Sequence, residues 1–93
     1  MRRAFSLLQI PTGLKPYFQE YDITQLDMTR DANLIIQRVL EFGTWDELRW
    51  LFETYRSKRI RLFLREHGER WLKPVTFYYW RKLLGVRQWK KSP

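Results

Sequence analysis

The amino-acid sequence predicts an all-α domain: a small bundle of four main helices with an N-terminal arm and a basic C-terminal tail. Three observations carry this prediction. Apolar residues recur at helical spacing in four segments. Those segments are punctuated by capping residues, Gly or Pro. No pair of segments shows the strand–turn–strand pattern of a β-hairpin. The 93 residues suffice for a single domain, divided into an arm with an aromatic turn at 1–21, a helical domain at 22–86 and a tail at 87–93.

The elements follow in order. Pro11-Thr12-Gly13 is a turn signal that closes the arm, whose Phe5, Leu7, Leu8 and Ile10 are available for docking. Residues 14–21 carry Pro16, Tyr17, Phe18 and Tyr21, which suit one short helical turn or a loop pinned by its aromatics. Residues 22–30, with Ile23, Leu26 and Met28, lead into the first helix at 30–42. Asp31 or Thr29 is placed to cap that helix, and Gly43 to stop it in left-handed geometry. Leu34, Ile35, Ile36, Val39, Leu40 and Phe42 wrap more than one face, as in a central helix contacted from two sides.

Thr44-Trp45-Asp46-Glu47 reads as a capping box opening a second helix at 45–55. Its apolar stripe is Trp45, Leu48, Leu51, Phe52 and Tyr55, with Trp50 pointing elsewhere. Ser57 is placed to cap a third helix through 66, ending at Gly68, with Ile60, Phe63 and Leu64 inward. Lys73-Pro74 opens a fourth helix, with Pro at its first position, and Gly85 ends it. Thr76, Phe77, Trp80, Leu83 and Leu84 share one face of that helix; Tyr78, Arg81 and Lys82 share the other.

Composition narrows the function. The 44% hydrophobic and 17% aromatic content disfavours disorder and supports a modest core. The absence of Cys excludes disulfides and thiolate metal sites. A single His, His67, leaves no His cluster, and its expected place at a helix C-terminus has a dipole explanation. The acids Asp46/Glu47 and Asp27/Asp31 fall at helix starts, where acids are expected without catalysis. The four Gly are isolated, so no phosphate loop is formed. The expectation is a non-enzyme without cofactor or metal. No apolar run approaches the ~20 residues of a membrane span, and the N-terminal one ends at Gln9 and Pro11, short for a signal peptide. The expected compartment is the cytoplasm.

The formal charge of +8 is unevenly placed. Through Tyr55 there are six basic residues and eight acids; from Arg56 there are twelve basic residues and two acids. A basic half of this kind serves solubility, and it also suits nucleic acid, phosphate or an acidic protein face. Two constellations lie in it. In Arg56-Ser57-Lys58-Arg59-Ile60-Arg61-Leu62-Phe63-Leu64-Arg65, two helices meet at a short turn, in outline a helix-turn-helix. Lys58, Arg59, Arg61 and Arg65 would then meet DNA. The second comprises Trp71, Phe77-Tyr78-Tyr79-Trp80-Arg81-Lys82 and Trp89-Lys90-Lys91. Aromatics interleaved with cations suit stacking on bases or the hot spots of a protein interface. Trp50, Tyr78 and Trp89 are the candidate exposed aromatics, since so short a chain is not expected to bury all of them.

The stretch Leu34-Ile35-Ile36-Gln37-Arg38-Val39-Leu40-Glu41-Phe42-Gly43-Thr44-Trp45-Asp46-Glu47-Leu48 continues with Trp50-Leu51, Tyr55 and Ile60. Trp71-Leu72-Lys73-Pro74, Phe77-Tyr78-Tyr79-Trp80 and Leu83-Leu84-Gly85 follow. This order resembles a family of short helical bacterial and archaeal proteins often encoded beside nucleotidyltransferase toxins of the AbiEii/AbiGii type. The resemblance spans 22–86. It implies an antitoxin-like role, the binding and restraint of a cognate toxin, with no catalytic residues to carry over. Family members usually have Tyr-Gly where this chain has Tyr55-Arg56, and Ser where it has Lys73. On this basis the basic half is expected to occlude an acidic toxin cleft. The partner-binding residues would be Lys58, Arg61, Arg65, Tyr78, Arg81, Lys82 and Trp89. The alternative is a DNA-binding regulator using the basic helix at 57–66.

Overall fold

The computed structural model describes residues 12–21 and 25–91. The arm at 1–11, Ile23, and the last two residues of the tail lie outside the described residues. The described chain is all-α. A 3-10 segment (Thr12–Phe18) precedes α1 (Ala32–Phe42), α2 (Trp45–Phe63), a π turn (Leu64–Gly68), the short α3 (Glu69–Trp71) and α4 (Pro74–Leu83).

α1 is the central helix, as its broad apolar surface predicts. It packs against the 3-10 segment, α2 and α4, and buries Ala32, Ile35, Ile36, Val39 and Leu40. Its start differs from expectation. Neither Thr29 nor Asp31 caps it through a side chain. Asp27 is the organising acid instead: its carboxylate accepts the Thr29 and Arg30 N–H groups at 2.8 and 2.7 Å. The Arg30 N–H, then the Thr29 N–H, hold the Asp27 carboxyl below its usual range. Tyr55 closes this turn from α2, its hydroxyl donating to the Met28 carbonyl at 2.6 Å.

Gly43 also differs from expectation. Its φ of −71° and ψ of 151° are extended, not left-handed. A close approach is what requires glycine there, since a Cβ would stand 2.6 Å from the Val39 carbonyl oxygen. The capping box that follows is formed as predicted. Thr44 Oγ1 accepts the Glu47 N–H and the Glu47 carboxylate accepts the Thr44 N–H.

α2 is two helices in one. Arg56, at φ 69° and ψ 157°, breaks it at the junction the sequence predicts, between 45–55 and 57–66. Leu51, Ile60 and Phe63 are buried along it. Trp45, expected in the buried stripe, is instead exposed. The second half does not end at Gly68. It passes through the π turn into α3 and stops at Leu72, whose backbone is extended. Gly68 is buried because α4 crosses there: a Cβ would lie 2.8 Å from two ring carbons of Phe77. His67 is therefore within a helical run and not at its end; its ring lies 4.7 Å from that of Trp71.

α4 begins with Pro74 at its first turn, as predicted. Lys73 offers no side-chain cap, and Glu41 of α1 supplies one from outside. Its carboxylate accepts the Lys73 N–H at 3.0 Å and the Thr76 hydroxyl. Trp80 reciprocates, its indole N–H donating to the Leu40 carbonyl at 3.2 Å near the end of α1. α4 ends in a Schellman motif at Gly85, φ 72°, with the Val86 N–H on the Arg81 carbonyl at 2.8 Å and Val86 buried. Glu41→Ala removes the external cap and is expected to cost about 1 kcal/mol. Thermal unfolding followed by circular dichroism checks this; an unchanged midpoint would show that water caps α4 equally well.

The 3-10 segment is held by Arg38. Its guanidinium donates to the Tyr17 carbonyl and to both Glu20 oxygens, and lies 5.5 Å from the Phe18 ring centroid. The hydrogen bond from Arg38 holds the Glu20 carboxyl below its usual range. Leu14 and Phe18 thereby reach the core.

Candidate partner-binding surface

The surface is built from the π turn, α4 and residues 86–91, which lie back against the bundle. The sharp turn at Gly85 starts this return and buried Val86 anchors it. The Lys90 N–H then donates to the Arg65 carbonyl at 2.8 Å. A π turn leaves carbonyls outside the regular ladder, and this one is taken up by the returning chain. Lys90 Nζ meets Glu66 at 3.0 Å, and that hydrogen bond lowers the Glu66 carboxyl from its usual value.

Trp89 is half-buried at the centre. Its indole N–H donates to Glu69 at 3.3 Å, and its ring meets Phe77 edge-on at 5.2 Å and Tyr78 at 6.2 Å. Two cations lie over it: the Arg81 guanidinium at 5.0 Å and Lys91 Nζ at 4.6 Å from the ring centroid. Arg81 also donates to the Val86 carbonyl at 3.0 Å, and its buried Nε has no hydrogen-bond partner.

The predicted site residues thus separate into groups. Tyr78, Arg81 and Trp89 are brought together, with Tyr78 exposed and Arg81 half-buried. Lys82 is exposed on the same helix, one turn from Tyr78. Arg65 is exposed where the returning chain crosses. Lys58 and Arg61 lie further back on the second half of α2, Lys58 exposed and Arg61 half-buried. Arg59 is engaged inside the fold, donating to Asn33 Oδ1 of α1 at 2.8 Å. Trp50, a candidate exposed aromatic, is half-buried and packs against the core.

The sequence did not predict a second surface. Trp45 and Leu48 of α2 face Val75, Thr76 and Tyr79 of α4 across an open groove of about 580 Å³. It continues along Phe52, Trp80 and Leu83. Trp45 is 74% exposed, Val75 82%, Tyr79 52% and Leu83 60%. The available signal was Val75, Tyr79 and Leu83 at i, i+4 and i+8, an apolar line beside the buried Phe77–Trp80 face.

Neither surface has the makings of a metal centre. No group of His, Asp or Glu among the described residues is placed to hold a metal ion. No helix among them is long and apolar enough to cross a membrane. What the first surface offers is fixed positive charge beside aromatic edges, and what the second offers is apolar area.

Tyr55 gives the fold a pH limit. Burial pushes its phenol up to about 12, so the folded state favours the neutral form. That stabilisation is complete below the unfolded value of about 10 and is lost as pH rises from there towards 12. Denaturant midpoints are expected to fall across this window, and Tyr55→Phe to flatten the fall.

Comparison with curated proteins and with solved structures gave no match. A family model does match, over residues 14–64, which take in the 3-10 segment from Leu14 onward and all of α1 and α2. α4 and the returning residues 86–91 lie beyond it. More than half of the chain is covered, and the protein belongs to this family of unknown function, DUF6922.

Proposed function

We propose that this protein is an antitoxin-like binding protein that restrains a cognate toxin of nucleotidyltransferase type by stoichiometric occlusion. One observation carries the proposal furthest: residues 86–91 fold back so that Trp89 holds Arg81 and Lys91 beside Tyr78, next to Arg65 and Lys90. Arg81 and Lys91 are held over the Trp89 ring and Lys90 by Glu66 before any partner arrives, which lowers the entropy cost of binding. Aromatic and Arg side chains are the residues that dominate binding energy in protein interfaces. The matching partner surface is an acidic cleft, such as the carboxylates with which a nucleotidyltransferase holds metal and nucleotide.

The test is direct. A pull-down from the native host is expected to recover a nucleotidyltransferase. Replacing Arg65 and Lys82 by Glu is expected to weaken that complex at least tenfold by calorimetry, mainly through slower association at low salt. Unchanged affinity would sink the proposal.

A DNA-binding role is the second reading, favoured by the break at Arg56, which sets the Lys58–Arg65 segment off as a separate helix. Arg59, tied to Asn33, would then position that helix while Lys58, Arg61 and Arg65 meet phosphates. It requires duplex affinity that falls steeply with salt. No gel shift at micromolar protein and low salt would remove it.

A further inference from the structure

The groove between α2 and α4 shares no lining residue with the basic surface, and what it fits follows from area and charge. Trp45, Val75, Tyr79 and Leu83 together expose on the order of 500 Å², a large bare apolar patch for so small a protein. Thr44, Asp46, Arg49 and Glu53 border them and are also exposed. Patch and rim together approach the ~800 Å² that each side of a standard stable interface buries. The groove, at about 580 Å³, is roomy enough to take an aromatic ring from outside, and the exposed indole of Trp45 stands at its edge. One chain thus carries both a projecting ring and a recess.

Charge decides between a foreign partner and a second copy. The chain carries +8 overall, so two copies repel each other across most of their surfaces. The first half of α2 is the exception: Asp46, Glu47 and Glu53 stand there against Arg49 alone. Asp46, Arg49 and Glu53 follow one another at i, i+3 and i+7, a row of alternating sign beside the groove. The link between Asp46 and Arg49 within the chain is loose, at 3.6 Å between two highly exposed side chains. Such a row is complementary to itself when a second α2 lies antiparallel to it, because Arg49 of each copy then meets an acid of the other. That is the reciprocity of a twofold interface, in which residue i meets j and j meets i. An acidic partner finds no excess of positive charge here, whereas the surface around Trp89 offers one.

We propose that two copies of this chain associate through the α2–α4 groove about a twofold axis, with the two α2 helices antiparallel. Trp45, Val75, Tyr79 and Leu83 of each copy cover the groove of the other, and Arg49 pairs with an acid across the axis. Tyr78 and Arg81 lie on another side of α4, with Trp89 against them, so the dimer presents two basic surfaces.

Sedimentation equilibrium of the full-length protein is expected to give twice the chain mass at tens of micromolar. A monomer at every concentration would overturn the proposal and leave the groove to a foreign partner or to another segment of the chain. Trp45→Glu with Val75→Glu is expected to weaken the dimer at least tenfold. Both substitutions put an acid in the first turn of a helix, where it favours folding, so a loss of association is not a loss of structure. Circular dichroism checks that the helices are kept. A double variant that dimerises as tightly as the wild type overturns the proposal, since the interface then lies elsewhere. Arg49→Glu makes the row wholly acidic, and Asp46→Arg with Glu53→Arg makes it wholly basic. Mixed, these two variants are expected to form a heterodimer favoured at least tenfold over either homodimer, read by native mass spectrometry. Statistical mixing would overturn the antiparallel pairing. None of these readouts involves a toxin, so they stand or fall apart from the reading of the basic surface.

Discussion

Gly68→Val is expected to destabilise the protein by about 3 kcal/mol, the upper end of ordinary overpacking costs. Glycine inside a helix ordinarily costs about 1 kcal/mol relative to alanine, so a substitution would improve local propensity. The tertiary contact outweighs this. The first added carbon would meet two Phe77 ring carbons at 2.8 Å and Leu64 Cδ2 at 3.3 Å. Phe77 is fully buried, with Tyr78 and Trp89 against its ring, so it has nowhere to swing. Valine adds two further carbons and the χ1 restriction of a branched side chain. Urea denaturation checks the size of the loss. Fluorescence of Trp89 checks its cause, because displacement of Phe77 disturbs the basic surface at the same time. A Gly68→Val protein as stable as the wild type would mean that α4 can slide on the π turn.

Arg56→Gly is expected to act in the opposite direction, stabilising the fold by about 1–2 kcal/mol. At φ 69° and ψ 157°, Arg56 occupies a region that is essentially reserved for glycine, where other residues carry strain of about 1–3 kcal/mol. Glycine relieves the strain and returns part of the gain through the greater freedom of its unfolded chain. The melting temperature should rise by about 4–8 °C per kcal/mol for a domain of this size. Arg56→Ala separates the causes. Alanine keeps the strain and loses only the long side chain, so it should not reproduce the gain. Equal stabilisation by Ala and Gly would assign the effect to charge or side-chain entropy, not to the backbone.

Much of the fold was legible because local chemistry decides it. The capping box at Thr44 and Glu47 consists of two reciprocal hydrogen bonds within four residues, and nothing remote can alter them. Pro74 at the start of α4 and Gly85 at its end are equally local. The break at 56 was legible from the change of pattern between two amphipathic segments. Gly43 and Gly68 were placed correctly as special positions, but for the wrong reason. The sequence marks a glycine without telling whether it serves a left-handed turn or a close approach, and both proved to be close approaches.

The surfaces were less legible. Charge asymmetry pointed to the half that carries Tyr78, Arg81 and Trp89, yet which cations stay at the surface depended on partners far away in sequence. Arg59 is drawn inward by Asn33, and Arg81 by the Val86 carbonyl and two rings. Trp45 shows the opposite failure. Its spacing with Leu48 and Phe52 predicts burial, but α4 approaches α2 at Phe52 and leaves the first turn uncovered, with the Phe52 and Trp80 rings 5.8 Å apart. Helical periodicity identifies the face of a helix that can be buried. It does not say how far along that face a neighbour reaches.

The sequence by itself thus determined the helical class, the junctions at 43–44 and 56, the opening of α4 at 73–74, the central place of α1 and the concentration of positive charge after Tyr55. These follow from capping, periodicity and composition, whose interactions span a few residues. Only the tertiary structure decided that Glu41 caps α4, that Arg38 clamps the 3-10 segment, that residues 86–91 return to the π turn, and that Trp45 and Leu83 face solvent. Each of these depends on two segments meeting through space. The free energy of such a contact belongs to the pair and to the groups that surround it, so no single stretch of sequence contains it.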